Sequence, residues 1–302
     1  MRRASAAAAL GAILLAQWVA VFALAGGVRL DADVVLLLPV ALSSVYGIGA
    51  LLSGPRLGLF AAGLWAFAPF VLFPLFDERY RDIYERDFLE PATGLTGAAE
   101  FRAAVALLVS TLLTARAIRT GGWVWGALAG AAAAVGCAVD PSATLFLPAP
   151  LIALAVARRW LSAVPLAGGL AIGLALAGLP SAPGDLGNLD TNQDGIREFF
   201  WSVRVLEWLP LAGVLGVARR SPPVAALLGL WFGAYLLVRG TDPEVTIGAG
   251  TFFGALLPAW PAYVLLAAAI PLLAPPLPSL RRRAGAAMRS PAPEDANAPP
   301  AA

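Results

Sequence analysis

The 302-residue chain has no histidine, and all 21 of its basic residues are arginine. Without histidine it builds no Ser–His–Asp triad, no His-ligated zinc site and no His-ligated haem. Without lysine it has neither a Schiff-base amine nor the lysine of a phosphate-binding P-loop. Its single cysteine, Cys137, makes no intrachain disulfide and no Cys-rich metal site. Charge is scarce as well, at 13% of residues against roughly a quarter in soluble domains. Any chemistry falls to Asp, Glu, Arg, Tyr, Ser, Asn and backbone groups. What the chain has instead is apolar sequence, 59% of residues, with a mean hydropathy of +0.77. This excludes a soluble enzyme and predicts an all-α, polytopic transmembrane helical bundle.

Ten stretches are apolar enough to be spans: 6–26, 34–52, 57–76, 101–118, 122–139, 142–157, 160–180, 199–218, 223–239 and 251–274. With the N-terminus in the cytoplasm, Arg2, Arg3, Arg56, Arg116, Arg119, Arg158, Arg159, Arg219, Arg220, Arg281, Arg282, Arg283 and Arg289 all fall inside, thirteen of the 21. Nearly every acidic residue falls outside, Glu294 and Asp295 excepted. This segregation follows the positive-inside rule and predicts ten spans with both termini cytoplasmic. Arg2-Arg3, the first apolar run and Ala23-Leu24-Ala25 imitate a cleavable signal peptide. The run exceeds the usual core of about 7–15 residues, so it reads as a retained helix. Residues 1–274 form the membrane domain, with outer-face loops at 77–100 and 181–198. Residues 275–302 read as a disordered, Pro- and Arg-rich cytoplasmic tail, whose Arg281–Arg283 run suits anionic membrane lipids. The Ala, Gly, Pro and Arg bias points to a bacterial plasma membrane. The arginines follow topology and form no stripe for nucleic acid.

Between Phe76 and Leu89, Phe76, Tyr80, Ile83, Tyr84 and Phe88 recur at helical spacing among charged residues. This predicts an amphipathic helix at the outer membrane surface, with i,i+4 pairs such as Arg81–Glu85 and Asp82–Arg86. It reads either as a solvated interfacial helix or as a lid whose Arg79, Tyr80 or Arg81 touches a lipid phosphate. Arg204 and Glu207, three apart, share a helix face in the outer half of their span. They either pair with each other or wall a binding cavity. In the stretch GDLGNLDTNQDGIRE, Asp190, Asn192, Asp194 and Gly195 match the first half of a calcium loop, but Trp201 stands where its bidentate Glu belongs. A divalent-cation site there is the weaker reading, an Asx-turn loop the stronger. Asp31 and Asp33 precede the second span and read as a helix start or a general base. Gly122, Gly126 and Gly130, and Gly169 with Gly173, predict close helix packing, with Cys137 a small packing residue. Pro69, Pro74, Pro258, Pro261 and Pro271 predict kinks.

The stretches RYRDIYERDFLEPATGLT (79–96), DPSATLFLPAPLIALAVARRW (140–160), REFFWSVRVLEWLPLAGVLGVARRSP (197–222) and TFFGALLPAWPAYVLL (251–266) together resemble bacterial membrane glycosyltransferases of the GT-C superfamily. The group is the one similar to dolichyl-phosphate-mannose–protein mannosyltransferases, and the resemblance covers about residues 53–274. It implies sugar transfer from a polyprenyl-phosphate-linked donor on the outer face, with a first-loop carboxylate as base. Asp31 or Asp33 would be that base. Arg79, Arg81, Arg204 or Arg239, helped by Tyr80 and Glu207, would hold the donor phosphate. Some members use a divalent cation. The first outer loop here is only 27–33, and Asp140 stands where relatives often carry a basic residue. Three readings therefore stay open: an active transferase, a non-catalytic GT-C-like protein that binds a lipid-linked substrate or a membrane-protein partner, and a transporter or flippase.

Overall fold

The computed structural model describes residues 3–26, 32–180, 182–199 and 205–274. Among them there is no strand. The helices are α1 (Arg3–Leu24), α2 (Leu38–Ser53), α3 (Pro55–Leu72), α4 (Arg81–Tyr84), α5 (Glu90–Ala92), α6 (Ala99–Thr120), α7 (Trp123–Val139), α8 (Pro148–Val156), α9 (Trp160–Ala177), α10 (Leu186–Phe199), α11 (Val205–Ala218), α12 (Pro222–Gly240), α13 (Thr251–Leu256) and α14 (Trp260–Ala269). Among the described residues, seven helical stretches are long and apolar enough to cross a membrane, and three apolar helices, Trp123–Val139, Pro141–Val156 and Glu207–Ala218, are shorter. Each of the ten apolar stretches of the sequence is thus helical over most of its length. The tail 275–302 lies outside the described residues.

Small residues set the closest approach. On α7, Gly126 meets the Ser162 carbonyl, and Gly130 meets Gly169 of α9, so closely that a Cβ at any of the three would strike backbone. Gly173 faces Cys137, and Cys137 is buried in the same seam. The expected glycine packing is present at Gly126, Gly130, Gly169 and Gly173, while Gly122 caps the start of α7. A second such seam, Gly213 and Gly216 of α11 against the Leu266 and Ala269 carbonyls of α14, escaped the sequence reading. Three prolines interrupt their helices as expected: Pro74, Pro258 and Pro271 each lie in a 3₁₀ turn. Proline removes an amide donor and clashes with the preceding turn, so the ladder switches spacing there.

The two ends of the bundle differ. The short turns carry Arg56, Arg119, Arg158, Arg159, Arg219 and Arg220, and Arg159 Nε ties two of them by donating to the Ile118 carbonyl at 3.0 Å. The other end gathers the segment 78–92, helix α10 and the loop 241–250. Here two expectations are corrected. Residues 186–199 are a helix, not a loop. The segment 78–92 is a chain of 3₁₀, α and π turns rather than one regular helix. The π turn Glu85–Leu89 widens the coil, so Phe88 and Leu89 both turn inward beside Tyr84.

Candidate functional site

The acidic end is assembled by hydrogen bonds between segments distant in sequence. Asn192 is buried in α10 and its amide donates to the carbonyls of Gly240 (3.2 Å) and Val245 (2.9 Å). Its amide oxygen accepts from Ile247 N at 3.2 Å. Gly184 N donates to Thr241 Oγ1 at 2.8 Å. These contacts clamp α10 onto the loop after α12. The segment 78–92 closes from the other side. Asp87, gripped by Arg86 through two bonds of 2.9 and 2.8 Å, lies against Gly250, whose φ of +80° and lack of a side chain admit it. The Asp87 carboxylate pushes the exposed Arg86 guanidinium above its usual pKa, by hydrogen bond first and charge second.

The aromatic face of 78–92 is buried on protein, not laid on lipid. Phe76 stacks on Tyr84 at 4.0 Å, and Phe88 meets Trp260 edge-on at 5.0 Å. Trp260 in turn stacks on Tyr263 at 5.3 Å. The Tyr84 hydroxyl donates to the Pro69 carbonyl at 2.8 Å, and burial drives its pKa well above the usual phenol. The expected i,i+4 pairs Arg81–Glu85 and Asp82–Arg86 do not form. Arg81 lies 3.6 Å from Glu78 instead, and Arg86 takes its neighbour Asp87.

This packing leaves a cavity of about 180 Å³. Tyr84, Phe88, Phe232, Phe252, Phe253, Trp260 and Tyr263 supply aromatic wall, with Leu72, Pro210, Leu236 and Leu256. Among the described lining residues, Gln193 brings an amide and Glu207 a carboxylate. Glu207 accepts from Arg197 Nε at 3.2 Å and Nη2 at 3.5 Å, and Arg197 Nη1 donates to Asp194 at 2.6 Å. The Glu207 bond, then the charges of Glu207 and Asp194, raise the Arg197 pKa. An aromatic recess with one charged cluster at its edge is suited to an amphiphile.

The remaining sequence candidates are dispersed. Asp31 and Arg204 lie outside the described residues, as does the side chain of Arg79. Asp33 is buried and accepts from Arg102 Nε at 2.7 Å, fastening the start of the second span to α6. Tyr80 lines a separate cleft beside α10 with Thr191, Asn192 and Thr246. Arg239 pairs with Asp242 at 3.2 Å, away from Glu207. Asp190, Asn192 and Asp194 lie on a helix, where positions two apart point to different faces. Both ends of the Asn192 amide are used by backbone and Asp194 by Arg197, so this set does not fit a divalent cation. No group of three Asp, Glu or Cys side chains among the described residues is placed to hold a metal. Arg197 and Arg102 are the functional-end residues missed by sequence reasoning; neither carries a local signal. The cavity aromatics 252–263 do lie in one of the four stretches that carry the GT-C resemblance.

Fold and site together define an all-α helical bundle with membrane-spanning character and an aromatic cavity at its acidic end. Compared with protein-family models, with characterised proteins and with solved structures, the chain matches none.

Proposed function

We propose that this chain is a ten-span protein of the bacterial plasma membrane, both termini cytoplasmic, that binds a lipid-linked substrate of the GT-C type at its outer, acidic end. The arginine-bearing turns support the orientation. The observation that carries the binding reading is the aromatic cavity with Glu207 and Arg197 at its edge. Its volume of about 180 Å³ compares with ~150 Å³ for a cavity that takes one benzene. It therefore suits one branched unit of an isoprenoid chain, the rest of the tail lying along the bundle in lipid. The headgroup then meets Gln193, Arg197 and Glu207.

Non-catalytic binding is the leading form of this reading, because Asp33 is tied to Arg102 and is not among the residues that line the aromatic cavity. Sugar transfer from a polyprenyl-phosphate donor is the second form. Glu207 favours it, because that carboxylate stands in the cavity lining, paired with Arg197. Photoreactive polyprenyl phosphate in nanodiscs tests binding. Labelling should fall in Trp260→Ala and Phe232→Ala, and labelling indifferent to both would sink the reading. Labelled polyprenyl-phosphate sugars test transfer. Turnover lost in Glu207→Gln supports the transferase form, and no turnover in a protein that is still labelled supports the binding form.

A further inference from the structure

Four arginines stand together at the end of the bundle opposite the aromatic cavity. Arg116 and Arg119 lie three apart near the end of α6, so they share a face. Arg158 and Arg159 join α8 to α9. Arg159 links the two pairs: its Nε donates to the Ile118 carbonyl at 3.0 Å, and its Nη1 lies beside Gly121. Arg116 lies over the Trp125 ring of α7, 5.2 Å from its centroid. All four residues are exposed, and neither 116–126 nor 153–165 contains an Asp or Glu. Among the described residues no carboxylate pairs with any of them. The cluster carries a formal +4, with guanidinium N–H groups facing outward.

Arg158 sits there against local preference. Arg159 N donates to the Leu154 carbonyl and Arg158 N to the Ala155 carbonyl, each at 2.9 Å, so α8 ends in a Schellman turn. That turn places Arg158 at a φ of +55°, the one positive φ outside glycine among the described residues. Glycine is the usual residue at this position, because a Cβ there crowds the backbone. A broken local rule without a structural gain is expected where a side chain serves binding.

The level of the cluster selects the ligand. Helices α6 and α9 are long and apolar enough to span, so the end of α6 and the start of α9 come at headgroup depth. Trp123 and Trp160 open α7 and α9, and both rings are largely exposed, as in an interfacial aromatic belt. Arginine forks match phosphate oxygens. We propose that these two turns form a seat for one anionic phospholipid. Arg119, Arg158 and Arg159 hold its headgroup phosphate, and Trp123 and Trp160 pack at its glycerol level. The inference uses the membrane-spanning character of the bundle and not the aromatic cavity.

The test places the full chain in nanodiscs of phosphatidylcholine, with or without phosphatidylglycerol, and reads lipid retained by native mass spectrometry alongside the melting temperature. Wild type should retain phosphatidylglycerol over phosphatidylcholine and melt higher when it is present. Retention should fall about tenfold in Arg158→Gly and in Arg119→Gln, the scale of one lost charge-assisted hydrogen bond. It should stay unchanged in Arg56→Gln, an exposed arginine of the α2–α3 turn outside the cluster. In phosphatidylcholine alone, Arg158→Gly should melt at or above wild type, since it relieves the positive φ; a purely structural arginine would lower it. No preference for phosphatidylglycerol overturns the proposal, as does equal retention in wild type, Arg158→Gly and Arg119→Gln. Equal losses in Arg56→Gln also overturn it, because diffuse charge then suffices. Inorganic phosphate added to phosphatidylcholine discs should leave the melting temperature unchanged, and a rise equal to that from phosphatidylglycerol would assign the cluster to free phosphate instead. If Arg158→Gly does not fold, Arg119→Gln decides by the same comparison. Prenyl-phosphate labelling in the same discs reports the aromatic cavity separately.

Discussion

Gly168 and Gly169 are neighbours on α9 with opposite surroundings, which makes them a matched pair for the glycine seam. A Cβ at Gly168 meets nothing within 4 Å, whereas one at Gly169 would lie 2.6 Å from the Gly130 Cα on α7. Carbon atoms settle at about 3.5–4.0 Å, so Gly169→Ala forces the two helices apart by about 0.9 Å or more. No flexible side chain can give way, because the obstacle is backbone. Overpacking of this kind costs about 1–3 kcal/mol. The alanine also gains helix propensity, up to about 1 kcal/mol in water. In a bilayer the separated spans remain helical, so that gain nearly cancels between the folded and dissociated states, and the steric term wins. Reversible SDS unfolding in mixed micelles should show Gly169→Ala about 1–3 kcal/mol less stable and Gly168→Ala within about 0.5 kcal/mol of wild type. Equal effects at both positions would refute the close α7–α9 approach.

Truncating Phe88 to Ala should cost about 3–5 kcal/mol, the usual range for a buried Phe, and should reduce prenyl-phosphate labelling in parallel. Asp33→Asn removes one side of an ion pair that is 11% exposed at Asp33 and 48% at Arg102. A fully buried pair would cost about 3–5 kcal/mol, and the exposure of Arg102 reduces this to about 1–2 kcal/mol; unchanged stability in the same SDS assay would remove the fastening role. Burial raises the Tyr84 phenol pKa in the folded state. Its contribution is therefore intact below the ordinary phenol value of about 10 and declines as pH rises beyond it, because only the unfolded state ionises there. Melting temperatures measured across pH 9 to 11, about that value, should fall more steeply in wild type than in Tyr84→Phe, and parallel curves would contradict the buried phenol.

The helices, the arginine-bearing turns and the α7–α9 seam were legible in the sequence because each is written locally. An apolar run of span length has to satisfy its backbone within itself, which makes it helical wherever it sits. Charge segregation repeats at successive turns, and glycine at every fourth residue marks one helix face. The working end was not legible in this way. Arg197 reaches Glu207 across ten residues, and Arg102 reaches Asp33 across 69; the local spacing suggested Arg204 for Glu207 and a free base at Asp33. Asn192 looked like half a calcium loop, yet it is a strut between α10 and the loop after α12. The aromatics of 78–92 carry a surface helix's pattern, since burial on lipid and burial on protein demand the same apolar face. Only tertiary packing chose protein, and with it the cavity, because which apolar faces meet depends on how separate helices fit together and not on the period of any one of them.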